Sequence, residues 1–153
     1  MGFDYRRLWH YLNKYHDINY QEEKVHDNFV RSLYFNIKGK WGGIELFRGP
    51  KLKDVDGYMH GRPDMVALGN DYLAVIEAKV MRNGDFKRHT LENKLNHSIN
   101  QLEDYYQYFV DFFGVGPFCY SAIKHRKRNS FELIYVPIKE KREFDIPEYA
   151  VAR

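Results

Sequence analysis

Residues 61–79 constrain this chain more than any other stretch. Two apolar runs, residues 65–68 and 72–78, flank Gly69-Asn70, the composition of a tight hairpin turn. Charge gathers at the ends of these runs, with Asp64 opening the first and Glu77 and Lys79 closing the second. If Leu68 pairs with Leu73 across a four-residue loop, Asp64 faces Glu77. A two-residue loop instead sets Asp64 beside Val75, one diagonal step from Glu77. Side chains alternate along a strand, so Glu77 and Lys79 share one face while Ile76 and Ala78 share the other. Either register collects two carboxylates and an ammonium at one rim of an otherwise buried sheet.

Adjacent carboxylates repel one another and favour a hard divalent cation, and oxygen ligands with retained waters suit magnesium or manganese. Lys79 can then stabilise developing negative charge or orient a water nucleophile. A lone Glu-x-Lys is usually an ordinary surface ion pair. Here Glu77 ends a run of five apolar or small residues, and Pro63-Asp64 opens the partner strand at the matching distance, so the pattern reads as a site.

Pro63-Asp64, twelve residues, then Glu77-Ala78-Lys79 resembles the PD-(D/E)XK nuclease superfamily. Downstream, Gln101-Leu102-Glu103-Asp104-Tyr105 is similar to the Gln-x-x-x-Tyr signature of its RecB-like branch and of the nuclease domain in type I restriction subunits. The two motifs together span residues 61–105, about the middle third of the chain. The resemblance implies an α/β fold, a restriction-endonuclease-like mixed β-sheet flanked by helices with an αβββαβ core, here with an extra N-terminal helix. It implies hydrolysis of DNA phosphodiesters with Mg²⁺ or Mn²⁺ held by Asp64 and Glu77, the Ala78 carbonyl as a third protein ligand, and Lys79 acting on the attacking water. Gln101 and Tyr105 would lie beside that site, orienting groups or touching the DNA backbone.

A short amphipathic helix is expected over residues 3–15, with Leu8, Trp9, Leu12 and Tyr15 at helical spacing. A second begins after Asn19, a candidate N-cap, and runs to about residue 35 on the stripe Val25, Phe29, Val30 and Leu33. Glu22 and His26 lie one turn apart on that helix and share a face. The run from Val25 to Leu33 resembles the family's first motif, which places His26 where a polar ligand would complete the metal shell, with Glu22 as the alternative. Periodicity leaves open whether His26 touches metal or caps an apolar stripe.

Gly39 to Gly43 reads as a turn carrying Trp41, followed by a strand over residues 44–47, and residues 48–61 read as a loop. Within that loop Asp54 and Asp56 fit a solvated turn better than a metal site, and His60 is assigned no role. A long helix is expected over residues 91–113, its stripe formed by Ile99, Leu102, Tyr106, Phe109 and Phe113, with Gln101 and Tyr105 on the flank. Strands over residues 118–123 and 131–138 follow, joined by a tip carrying Lys124, Arg126, Lys127 and Arg128. A charge run is ordinarily a solvated tip; beside a nuclease site it becomes a candidate phosphate-contact loop, because clustered cations release counterions from DNA.

At 153 residues the chain fits one domain, residues 1–153, with a single sizeable core. Its 44% apolar and 29% charged content excludes a disordered chain, and a net charge of +3 permits nucleic acid without requiring it. The single Cys119 excludes a disulfide framework and a cysteine zinc site, which points to an intracellular compartment, the cytoplasm, or a host's cytoplasm if the source is viral. No apolar run reaches membrane-spanning length, so no membrane partner is expected. The expected partner is DNA; with no recognition domain appended, low sequence specificity is expected, or specificity supplied by a partner, and oligomeric state stays open, a homodimer included. Two rival readings share the fold: a nucleic-acid-binding module without catalysis, and a nuclease acting on RNA or branched junctions.

Overall fold

The computed structural model describes residues 3–16, 24–54, 56–81, 88–125 and 131–138. Helix α1 (Tyr5–Tyr15) is capped by Asp4, whose carboxylate accepts the Arg7 N–H at 3.1 Å. Helix α2 (Lys24–Lys40) follows, then strands β1 (Glu45–Arg48), β2 (Leu52–Lys53), β3 (Met59–Gly61), β4 (Met65–Gly69) and β5 (Tyr72–Met81). Helix α3 (Arg88–Phe113) crosses over to β6 (Phe118–His125), which turns into β7 (Phe131–Tyr135). The main sheet has the order β1-β4-β5-β6-β7. Its β5–β6 pair is parallel and the other three pairs are antiparallel, as the α3 crossover requires. This is the expected mixed sheet flanked by helices, with the extra helix at the N-terminal side.

The two faces of the sheet are buried differently. Val66, Leu68, Leu73, Val75 and Cys119 pack with Leu8 and Leu12 of α1 and with Ile99, Leu102, Tyr105 and Phe109 of α3. Met65, Ile76, Ala78 and Ala122 pack on the other face against Phe29, Val30, Leu33 and Ile37 of α2. The period-2 alternation along β5 thus assigns odd residues to the α1/α3 face and even ones to the α2 face.

Helix α2 has a definite direction. Trp41, just past its end, meets the rings of Tyr72 and Tyr120 at 5.8 and 6.1 Å, beside the first residue of β5. Phe29, near its start, lies 6.0 Å from Phe131, and the Lys124 ammonium sits 6.0 Å over its ring. Lys124 pairs in register with Val80, so α2 begins at the rim where β5 carries Lys79.

Several boundaries differ from the sequence expectation. Helix α2 continues past residue 35 and through Gly39, because Ile37 is buried one turn beyond Leu33 and packing outweighs the glycine cost of about 1 kcal/mol. The hairpin turn falls on Asn70-Asp71, with Gly69 paired to Tyr72 as the last strand residue. The loop 48–61 contains the antiparallel ribbon β2–β3, whose turn is closed by Asp54 accepting the N–H groups of Asp56 and Tyr58, both at 2.9 Å. Asn19, the proposed cap, and the chain from residue 139 onward lie outside the described residues. Among the described residues no helix is long and apolar enough to cross a membrane.

Candidate active site

The β4–β5 register decides the geometry. Leu68 pairs with Leu73 and Met65 with Ile76, so Asp64, one step before Met65, faces Glu77. The two residues bind reciprocally: the Asp64 N–H donates to Glu77 Oε1 at 3.1 Å, and Asp64 Oδ2 accepts the Ala78 N–H at 2.8 Å. The Asp64 carbonyl accepts from Gly49 N–H at 3.1 Å, and Arg62 Nε donates to the Gly49 carbonyl at 2.8 Å, which ties the entry to β4 onto the end of β1. Both carboxyl groups are almost fully buried, Asp64 at 5% and Glu77 at 4% exposure. Burying two carboxylates side by side is costly unless positive charge or protons accompany them.

Lys79 stands on the same face as Glu77, and its ammonium donates to Gln101 Oε1 of α3 at 3.3 Å. One turn further along α3, Tyr105 is buried in the core, its ring pressed on Gly61. Gly61 has φ +145°, and a Cβ there would lie 2.4 Å from Tyr105 Cε1, so only glycine lets the chain pass under the ring on its way to Asp64. Tyr105 therefore faces the core more fully than the flank position expected for it. Gln101 and Lys79 are brought together; Tyr105 packs beneath the strand that delivers Asp64.

Sequence reasoning passed over three nearby groups. Ser121 pairs in register with Glu77, and its hydroxyl lies 3.3 Å from that of Ser98 on α3; both serines are fully buried. Arg48 pairs with Met65 on the α2 face and is 6% exposed, a guanidinium buried beside the same rim. No local pattern marks these residues, since their neighbours come from distant elements.

The donor set fits a small hard cation: two buried carboxylates from adjacent strands, all-oxygen, with an ammonium beside them. Among the described residues no three His, Cys, Asp or Glu side chains come together, so further ligands must be carbonyl, water or residues elsewhere. Ala78, whose carbonyl was expected to contribute, sits between Glu77 and Lys79 in β5 with its side chain on the α2 face. His26 belongs to the first turn of α2, at the rim that carries Lys79, and only its helical backbone is described. Glu22 lies outside the described residues, as do Arg126, Lys127 and Arg128; Lys124, expected in the tip, lies within β6, half-buried, with its ammonium over Phe29.

Among solved structures, the chain is similar to Archaeoglobus fulgidus Hjc, a Holliday junction resolvase from an archaeal hyperthermophile. The TM-score is 0.41 and the identity 18%, over 80% of this chain and 88% of that one. No family model matches the chain. No curated protein matches it.

Proposed function

We propose that this chain is a metal-dependent deoxyribonuclease of the PD-(D/E)XK type. The observation that carries the reading is the reciprocal clasp of Asp64 and Glu77, two buried carboxylates facing one another across β4 and β5 with Lys79 on the same face. Asp64 and Glu77 would hold Mg²⁺ or Mn²⁺, with the Ala78 carbonyl and a polar residue, His26 of α2 or Glu22 upstream in the sequence, completing the shell. Such a cation, when bound, polarises the phosphoryl oxygens and acidifies a water. The chain's own part is to place and exclude. The backbone N–H groups of Asp64 and Ala78 fix the two carboxylates before substrate arrives, so little reorganisation is needed during reaction. Gln101 aims the Lys79 ammonium, which orients the attacking water or stabilises negative charge building on the phosphoryl group. Tyr105 fixes the path of the chain into Asp64. Lys124 and the basic residues that follow it in sequence, Arg126, Lys127 and Arg128, would contact phosphates without reading sequence.

The test is a panel of single- and double-stranded, linear and circular DNA, four-way junctions and RNA, each with Mg²⁺, Mn²⁺ or EDTA. The expected outcome is DNA cleavage with either metal and none in EDTA. Binding without cleavage of any substrate would replace this reading with that of a non-catalytic nucleic-acid module.

A further inference from the structure

Beside the carboxylate rim, α3 and β3 enclose a second feature that the chemistry above does not use. It is an open cleft of about 290 Å³ between Tyr58, His60, Asp104, Tyr108, Asp111 and Phe112. One wall is a run of rings in which Tyr58 and His60 are exposed and Phe112 is half-buried over the buried Tyr108: His60 lies 5.2 Å from Tyr58, 5.5 Å from Tyr108 and 5.6 Å from Phe112. Tyr108 and Phe112 are 4.8 Å apart. Tyr58 leaves 67% of its surface exposed, a large ring presented to solvent. Two exposed carboxylates, Asp104 and Asp111, flank Tyr108 and Phe112 on the same face of α3, and Asp111 accepts from Gln107 Nε2 at 2.8 Å.

From these rings and the carboxylates that flank them we propose that the cleft receives one unpaired nucleobase of the DNA strand whose backbone lies at Asp64 and Glu77. The inference rests on the DNA-cleaving reading and names the substrate feature that goes with it. Rings of this kind stack a base whatever its identity, and they work on single strands. The carboxylates repel phosphate, so the sugar–phosphate backbone stays outside and only a neutral, donor-bearing ring enters. Carboxylates accept hydrogen bonds from amino and imino groups, which favours guanine, with two adjacent donors on its pairing edge, over thymine. The volume lies at the small end of ligand sites, suited to a single ring system.

Position links the cleft to the carboxylates. Strand β3 gives Met59 and His60 to one side of the cleft and continues through Arg62 and Pro63 into Asp64. Helix α3 supplies Gln101 to Lys79 and then Asp104 and Tyr108 to the cleft. From Gln101 to Tyr108 is about 10 Å along the helix at 1.5 Å per residue. That distance is about three steps of a DNA strand at 3.4 Å each, so the base received lies within a few nucleotides of the bond cut.

The experiment measures binding in EDTA, where no hydrolysis is needed, using the full chain and two probes: a short single DNA strand, and a sugar–phosphate strand of equal length without bases. The wild type should bind the base-bearing strand at least about 10-fold more tightly, the range expected for one stacked base. Tyr58→Ala should remove most of that preference while leaving the baseless strand bound as before. Asp104→Asn should abolish a preference for guanine over thymine strands. Equal affinity of the wild type for both probes would overturn the proposal, as would an undiminished preference in Tyr58→Ala. So would binding of an arginine peptide, sensitive to Asp104→Asn, without any dependence on bases, which would make the cleft a protein-docking site. Base-dependent binding with no cleavage in any metal would retain the cleft and remove the nuclease reading. Cleavage without base-dependent binding would do the reverse.

Discussion

Asp64 and Glu77 hold each other through the backbone: the N–H of Asp64 donates to the Glu77 carboxylate, and the N–H that follows Glu77 donates to the Asp64 carboxylate. The arrangement fixes the position of two buried carboxyl groups with main-chain donors from both strands. Replacing either residue with alanine also strands a buried N–H, so the amide variants separate charge from hydrogen bonding more cleanly.

The Lys79–Gln101 contact, 3.3 Å between Nζ and Oε1, gives Gln101 a positioning role in the proposed reaction. Lys79→Met should lower the single-turnover cleavage rate by about 100-fold or more, the scale of a lost electrostatic contact to the transition state. Gln101→Ala should lower the same rate by a smaller factor, with DNA affinity and melting temperature unchanged. Gln101→Glu, which keeps an oxygen acceptor for the ammonium, should recover part of the loss. A rate that falls only in proportion to thermal stability would reduce Gln101 to packing.

Gly61→Ala should destabilise the protein by about 1–3 kcal/mol, since φ +145° is a conformation available essentially to glycine and the new methyl meets Tyr105. Cleavage should fall further than stability, because the displaced segment carries Asp64. Urea unfolding and rate measurements on the same preparation compare the two. An alanine variant as active as wild type would mean that the entry to β4 tolerates adjustment.

Burial pushes the Cys119 thiol up to about 12 from an ordinary value near 9. Burial also raises the Tyr72 and Tyr108 hydroxyls, each reinforced by a neighbouring tyrosine. In each case the unfolded chain ionises first as pH rises. The stability from these groups is therefore intact below about pH 9 and falls progressively between about pH 9 and 12. Melting temperatures should be flat from pH 7 to about 9 and then drop. Thiol alkylation at about pH 8 should be slow until denaturant is added, since the thiolate is the reactive form. Rapid labelling of the folded protein would contradict this burial.

Mn²⁺ titration tests whether His26 or Glu22 completes the proposed metal shell. With His26 as ligand, His26→Ala should weaken Mn²⁺ by about 10-fold or more, and affinity should fall as pH drops through about 6.5. Glu22→Gln should then have little effect. Normal affinity in His26→Ala with loss in Glu22→Gln assigns the ligand to Glu22 instead.

The hairpin was legible because two apolar runs, Gly69-Asn70 between them and charges confined to their ends all agreed, and only the turn slid by one residue. That slide puts Gly69 in the strand and yields the four-residue-loop register, with Asp64 facing Glu77. The α3 stripe was legible from its 3–4 spacing, although Tyr105 turned inward because glycine at position 61 opens space for its ring. Other parts carry no local pattern. The β2–β3 ribbon is only two and three residues wide, closed by the Asp54 side chain rather than by alternation. Ser98 and Ser121, buried Arg48 and the ring-lined cleft arise from elements far apart in sequence. The extension of α2 through Gly39 followed from Ile37 finding the sheet, a tertiary contact that overrides local propensity.

The central claim, that Asp64 and Glu77 together hold the metal for strand cleavage, is tested most directly by Glu77→Gln. The variant keeps the oxygen that accepts the Asp64 N–H and removes the charge, so the fold should survive intact by circular dichroism and melting temperature. Cleavage of DNA in Mn²⁺ should fall by more than the roughly 100-fold typical of outer-shell partners, with DNA affinity close to wild type. Cleavage at the wild-type rate by purified Glu77→Gln would contradict the account.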